Sequence, residues 1–416
     1  MLALGIDFGT SGARAIAISE DRQVVAQGEC AYNKQSPEIW RESLFSLLQQ
    51  LPWDCRQQID RIAIDGTSGT VLLCDRAGQA ITAPLMYNDD RGKIVLSEVR
   101  QVAPSHHLVN SATSSFTKLW WYEQHLELPA PPYYFLHQAD WLGFLLHGTL
   151  GVSDYHNALK LGYDVQQLCY PDWLSRWIDS QADWIVLPEV CAPGEAIAPL
   201  LPQLCAEYGF PNSCLVCAGT TDSIAAFMAS GASHVGDGVT SLGSTLVLKL
   251  LSDSPVNNAR YGIYSHRFGD RWLVGGASNT GGAVLRHFFS DRELEDLSCQ
   301  IDPQRESPLD YYPLLEKGDR FPINDPDLEP RLEPRPDRPA DFLHGLLESI
   351  ARIESMGYQR LSELGASPLQ QLYSAGGGAK NYQWMRIRSR YLSVPFRSPL
   401  HPQAAYGSAC LALSSL

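Results

Sequence analysis

The chain is short of basic charge, of long apolar runs and of the common nucleotide-binding glycine loops, and each shortage excludes a class of function. Lys and Arg number 32 against 46 Asp and Glu, a formal net charge of −14. Nucleic-acid binding relies on a Lys/Arg surface that displaces counterions, and no basic run supplies one, so no nucleic-acid partner is expected. No apolar stretch approaches the roughly 18 residues that cross a bilayer, which argues against a membrane partner. The opening MLALGIDFGT has no basic leader, cleavage site or Arg/Ser-rich transit pattern, so a reducing, cytoplasmic location is expected. Neither G-x-x-x-x-G-K-[ST] nor a G-x-G-x-x-G after a strand occurs, which removes Walker-type and Rossmann nucleotide binding. Among the ten cysteines, Cys214 and Cys217 form a C-x-x-C, but within the apolar run CLVCAGTT they read as part of a buried strand. No second such pair or His pair completes a zinc site. His106 and His107 are adjacent, do not share a face, and read as surface residues.

What is present is an ordinary globular mix, 44% hydrophobic and 19% charged, in 416 residues. That length exceeds what one core comfortably holds, so two domains are expected. LALGIDFG, RAIAIS and VVAQGECAYN read as three strands joined by turns, and PEIWRESLFSLLQQL as a helix with Pro37 near its start. IDRIAIDGTS and GTVLLCDRAG give further strands. After Gly236, GDGVTSLGSTLVLKLLSD repeats the opening strand, Ser/Gly turn, strand pattern, so the chain reads as internally duplicated. YGIYSHRFGDRWLVGGASN adds strands around a turn at Gly269 and Asp270. The proline-rich, charged stretch from Phe321 to Pro339 reads as an irregular surface segment. FLHGLLESIARIESMGYQRLSELG reads as one long helix closed by Gly365, and QLYSAGGGAKNYQWMRIRSRYL as strand, glycine turn and helix.

Three Gly/Ser/Thr turns stand where strands end: Asp7 to Gly12, Ser241 to Thr245, and Gly376 to Gly378. Each can offer N–H groups and hydroxyls to an anion, although any hairpin turn uses the same residues. Two of them lead the duplicated halves and the third opens a helix, the set that a nucleotide cleft between two related domains requires. Asp7 beside the first turn would repel phosphate unless it held hydrated magnesium; otherwise it simply stabilises the turn. Asp222, in GTTDSIAAF, sits at a helix start that favours its ionised form, which suits either a general base or an N-cap.

These segments together resemble the FGGY carbohydrate kinases across nearly the whole chain. GIDFGTSGARA resembles the first phosphate motif, MYNDDRG the sugar-side W-x-D-x-R segment, and VCAGTTDSIAAFMASGA the segment with the catalytic Asp. TSLGST resembles the second phosphate motif, GDRFP the G-E-R-x-P segment, and SAGGGAKN the adenosine motif. FTKLWWYEQH, QADWLGFLLHG and SDYHNALKLGYD fall in family order. The resemblance implies an α/β fold of two duplicated actin-like ATPase (ribonuclease H-like) domains with a nucleotide cleft between them. The sugar-binding and catalytic lobe would be 1–229 plus 403–416, the nucleotide-binding lobe 230–402. It implies Asp222 as the base, Asp7 at the magnesium and phosphate site, and Thr10, Ser11, Gly12 and Arg14 at the first phosphate hairpin. Gly243, Ser244 and Thr245 would approach the phosphates from the other lobe, and Gly377, Gly378 and Asn381 would hold adenosine. Asp65-Gly66-Thr67-Ser68-Gly69 stands where xylulose kinases typically have Q-M-H-G, and resembles a compact ribulose- and xylulose-kinase-like branch in which Ser68 contacts the sugar. The expected partners are therefore ATP, magnesium and a ketopentose, D-ribulose ahead of D-xylulose, in a monomer or homodimer. An actin-like ATPase switch or a sugar sensor would share the hairpins but would need neither GTTDS nor YNDDR.

Overall fold

The computed structural model describes residues 1–126 and 132–414. They fall into two compact units, Met1–Ala229 with Gln403–Leu416, and Ser230–Pro402. Ser415 and Leu416 lie outside the described residues.

In the first unit, β1 (Leu2–Phe8), β2 (Gly12–Ser19) and β3 (Val24–Ala31) form an antiparallel meander. β4 (Ile59–Gly66) adds to the other side of β1 in parallel. β5 (Ala196–Pro199) and β6 (Leu215–Cys217) extend the sheet beyond β4, and the short β7 (Thr220–Thr221) runs beside the end of β4. Every residue of β1 is buried, because helices cover both faces. On one face the helix Pro37–Gln50, capped by the Ser36 hydroxyl accepting from the Ile39 N–H, turns Trp40, Leu44, Leu47 and Leu48 into the core. Truncating one such leucine to alanine costs about 2–5 kcal/mol. On the other face the last helix, Ala404–Leu413, packs Ala405, Ala409 and Ala412 against Ala3, Ile16 and Ile18. This close approach needs glycine at position 5, where a Cβ would strike the backbone of Ala405 and Ala409. A separate three-stranded sheet, Val71–Cys74, Tyr133–His137 and Ile185–Val186, supports an aromatic core in which Phe116, Trp120 and Trp177 meet. His106 is exposed, but the expectation of a surface residue fails for His107: its half-buried ring covers the edge of Trp173, centroids 5.5 Å apart.

The second unit repeats the plan. β8 (Asp237–Leu242) and β9 (Leu246–Ser252) form an antiparallel hairpin, with β11 (Arg271–Ser278) on β9 and β10 (Tyr264–Phe268) outside it. β12 (Gln371–Ala375) pairs with β8 in parallel, and β13 (Phe396–Arg397) follows. The run β11-β9-β8-β12-β13 thus matches β3-β2-β1-β4-β6 in order and direction. The helix Pro339–Glu363 lays Leu343, Leu346, Leu347 and Ile350 on this core and ends before Gly365, whose φ is +102°. Its buried Glu354 is held by two 2.6 Å bonds from Arg388. Residues 321–338 contain no helix or strand, as expected, yet they are not all surface. Phe321 is fully buried in this core, since its ring gains more by packing than a polar loop residue would.

Candidate active site

Strand register assembles the acidic centre. β1 and β4 align Asp7 with Asp65, and β4 aligns Asp65 with Thr220 of β7, two residues before Asp222 opens the helix Asp222–Ala229. Asp65 is fully buried and accepts a 2.5 Å bond from the Ser408 hydroxyl, while its Oδ1 meets no donor. Burial first, then the Asp7 charge, hold Asp65 well above the usual carboxylate range. Asp7 itself is pushed up to about 6, chiefly by burial and further by the Asp222 charge, against the neighbouring Asp65 carboxyl and the Arg14 guanidinium 4.0 Å away. Asp222 Oδ1 accepts from the Ser223 N–H at 2.7 Å. The strand leading to Asp222 is seated from a second direction. Asp154 caps a short turn of helix by accepting from the His156 and Asn157 N–H groups. From that turn His156 Nδ1 lies 2.7 Å from the Thr220 hydroxyl, and Asn157 Nδ2 donates to the Thr220 carbonyl at 3.2 Å.

The loop after β4 carries Ser68. Thr67 donates from its N–H and its hydroxyl to Gln138 Oε1, each at 3.0 Å, and the Thr67 and Thr70 hydroxyls are 2.6 Å apart. Lys160 Nζ donates to the Ser68 carbonyl at 3.1 Å and Lys118 Nζ to the Gly69 carbonyl at 2.7 Å. The backbone is thereby held, whereas no hydrogen bond among the described residues reaches the half-buried Ser68 hydroxyl. In the neighbouring MYNDDRG segment, Arg91 Nε donates to Asp89 at 2.8 Å and its guanidinium lies 4.7 Å from the Trp121 ring centre.

The two hairpins share one design. At the first, Tyr32 OH donates to the Gly9 carbonyl at 2.8 Å and Gln35 Nε2 to the Thr10 carbonyl at 2.6 Å, leaving Thr10 and Ser11 exposed at the tip and Gly12 buried behind. At the second, the Gly243 and Ser244 carbonyls accept from the N–H groups of Gly282 and Ala283, and Arg286 donates to the Ser244 hydroxyl at 3.1 Å. Ser244 is exposed and Thr245 half-buried. Fixing the carbonyls on one side is what a hairpin needs if its N–H groups are to meet an anion. At the third turn a Cβ on Gly377 would meet nothing within 4 Å, whereas one on Gly378 would strike Trp384. Asn381 caps the helix Tyr382–Leu392, accepting from the Trp384 N–H at 3.0 Å and donating to Ser298 at 2.8 Å.

Among the described residues no three or more His, Cys, Asp or Glu are arranged to hold a metal ion. The donor set suits instead a cation that takes one or two carboxylates and completes its shell with phosphate and water, as magnesium does. A cation there would also offset the burial, and the lesser Asp222 repulsion, that raise Asp7. Cys214 and Cys217 are buried, and burial pushes both thiols up.

Sequence reading by itself gives no role to Asp65, Gln138, Lys118, Lys160, His156 and Asn157. Two left a signal: Lys118 is the one charge inside the aromatic run FTKLWWY, and DYHN is polar throughout in a stretch that folds inward. Asp65 left none beyond a carboxylate at the end of an apolar strand.

Residues 2–229 match the model of the FGGY family of carbohydrate kinases, N-terminal domain, and residues 238–416 that family's C-terminal domain. The chain is 24% identical to a xylulose kinase of Bacillus subtilis over 93% of its own length and 82% of that protein's. To a gluconokinase of the same organism it is 21% identical, over 98% and 85%. A kinase crystal structure from Brucella ovis, described as a xyloylose kinase, superposes with a TM-score of 0.88 at 20% identity, covering 99% of this chain and 90% of that one. No described helix is long and apolar enough to cross a membrane. The repeated sheet order and the two family matches agree, and this chain belongs to the FGGY family of carbohydrate kinases, an ATP-dependent sugar kinase on the two-domain actin-like ATPase fold.

Proposed function

We propose that this kinase transfers the γ-phosphate of ATP to a hydroxyl of a ketopentose, D-ribulose in preference to D-xylulose, with Asp222 as general base. The Asp222 carboxylate takes the hydroxyl proton, the sugar oxygen bonds to the γ-phosphorus, and the bond to the bridging oxygen breaks with its electrons leaving on ADP. In the first unit Thr10, Ser11, Gly12 and Arg14 serve the phosphates. In the second, Gly243, Ser244 and Thr245 serve the phosphates, and Gly377, Gly378 and Asn381 the adenosine. The open space at Gly377 supports that last assignment, and the capping bonds of the Asn381 side chain direct its part to shaping the turn. Asp7 would hold magnesium, which supplies charge neutralisation to the phosphates.

The observation that carries the sugar assignment is Ser68: a half-buried hydroxyl on a loop whose backbone is held, with no hydrogen-bond partner among the described residues. D-ribulose and D-xylulose differ in the configuration at one carbon, and a single hydrogen bond made to one and lost to the other is worth about 1–3 kcal/mol. The xylulose kinases among the relatives favour D-xylulose as the second reading. Saturation curves of ADP release with each ketose, and with glycerol and gluconate, decide between them. A higher kcat/KM for D-xylulose than for D-ribulose overturns the choice of sugar.

A further inference from the structure

Lys118 has a chemistry that its location does not need for packing. It lies on the helix Ser115–His125, is fully buried, and makes no ion pair among the described residues. Burial pulls its ammonium down to about 7. An apolar side chain of similar length would fill the same space without desolvating a charge. What the ammonium does instead is join two irregular segments, donating to the Gly69 carbonyl at 2.7 Å and the Met86 carbonyl at 2.6 Å. These two segments are already neighbours: the Tyr87 N–H donates to the Thr70 hydroxyl at 2.9 Å, and Val71 and Leu85 pair through their backbones. Lys160, 3.1 Å from the Ser68 carbonyl, holds the preceding peptide from another element. Gly69 has a φ of +87°, and the turn that presents Ser68 is held by these two lysines at its carbonyls together with the bonds of the buried Thr67 and Thr70 side chains.

We propose that Lys118 is a positioning residue for sugar binding, setting the Ser68 loop against the Met86–Arg91 segment without itself touching the sugar. The inference rests on the proposed contact of Ser68 with the sugar and on the resemblance of MYNDDRG to the family's sugar-side segment. Removing the ammonium leaves two carbonyls without their donor and lets the segments drift apart, which lowers the population of the sugar-competent arrangement and leaves the phosphate hairpins as they are.

The test is Lys118→Met, which keeps the stem, assayed beside Ser68→Ala and the double variant with D-ribulose and D-xylulose. The expected result is a sugar KM raised about tenfold or more, an ATP KM within about twofold of wild type, and a double variant no worse than Lys118→Met alone, since displacement of reacting groups is felt this strongly. Equal changes in both KM values, or a lowered Tm with an unchanged sugar KM, would make Lys118 purely structural and overturn the proposal. Should Lys118→Met not fold, Lys118→Arg keeps the donors with altered reach; a sugar KM unchanged in that variant overturns the proposal equally, and a selective rise supports it. If Ser68→Ala leaves the sugar KM untouched while Lys118→Met raises it, the assignment of Ser68 fails and the role of Lys118 stands.

Discussion

Replacing Asp7 by asparagine should make the protein more stable and inactive at once, and the balance should depend on pH. Asp7 is 7% exposed, and its carboxyl is raised from 3.8 to about 6, mainly because burial opposes its charge. At about 1.4 kcal/mol per factor of ten, holding this group ionised costs the folded state roughly 3 kcal/mol above pH 6. The sign follows from proton binding. Between pH 4 and 6 the folded chain holds a proton that the unfolded chain has released, so this group's contribution is most favourable below about 4 and is lost as pH rises through 6. Asp7→Asn keeps the shape and removes the charge. Its stability advantage over wild type should be near zero at pH 4 and grow to roughly 3 kcal/mol by pH 8, or on the order of 6–12 °C in the Tm of a unit this size. Sugar-dependent ADP release by the variant should fall at least about tenfold at every pH, because the variant lacks the carboxylate that would hold magnesium. Thermal melts of both proteins from pH 4 to 8, without nucleotide or magnesium, measure the difference. A gap that does not change with pH, or a variant less stable than wild type at pH 8, would refute the reasoning.

Other outcomes follow from the same site. Asp222→Ala should lose about 10²–10⁴ in kcat and leave ATP affinity nearly unchanged; more than about a tenth of wild-type kcat remaining would remove Asp222 as the base. Gly377→Val should fold normally and raise the KM for ATP far more than that for sugar, because its side chain enters open space. Gly378→Val, whose Cβ would lie 2.5 Å from the Trp384 ring, should lower the Tm instead, and identical behaviour of the two variants would contradict this division. Ser68→Ala should lower kcat/KM for D-ribulose and narrow its margin over D-xylulose, by an amount near one hydrogen bond, about 1–3 kcal/mol; an unchanged ratio would take Ser68 out of sugar selection.

Much of the architecture was legible along the chain because it is written in local patterns. The strands at 2–8 and 12–19, the helix begun by Ser36-Pro37 and the glycine stop at 365 follow from side-chain periodicity, capping and positive φ, each decided within a few residues. The duplicated strand–turn–strand at 237–252 was legible for the same reason. The acidic centre could only be half read. Asp7 and Asp222 stand at element ends that the sequence marks, but Asp65 joins them through the parallel register of strands more than fifty residues apart, and Ser408 reaches Asp65 from the last helix. Register and the return of a distant helix are set by which apolar faces fit when the whole unit closes, and by glycines such as Gly5 that permit the approach, so no window of the sequence contains them. The same holds for Lys118: the sequence marks it only as the one charge in an aromatic run, and only the closed fold, which buries it beside the Gly69 and Met86 carbonyls, turns it into a tie between two loops.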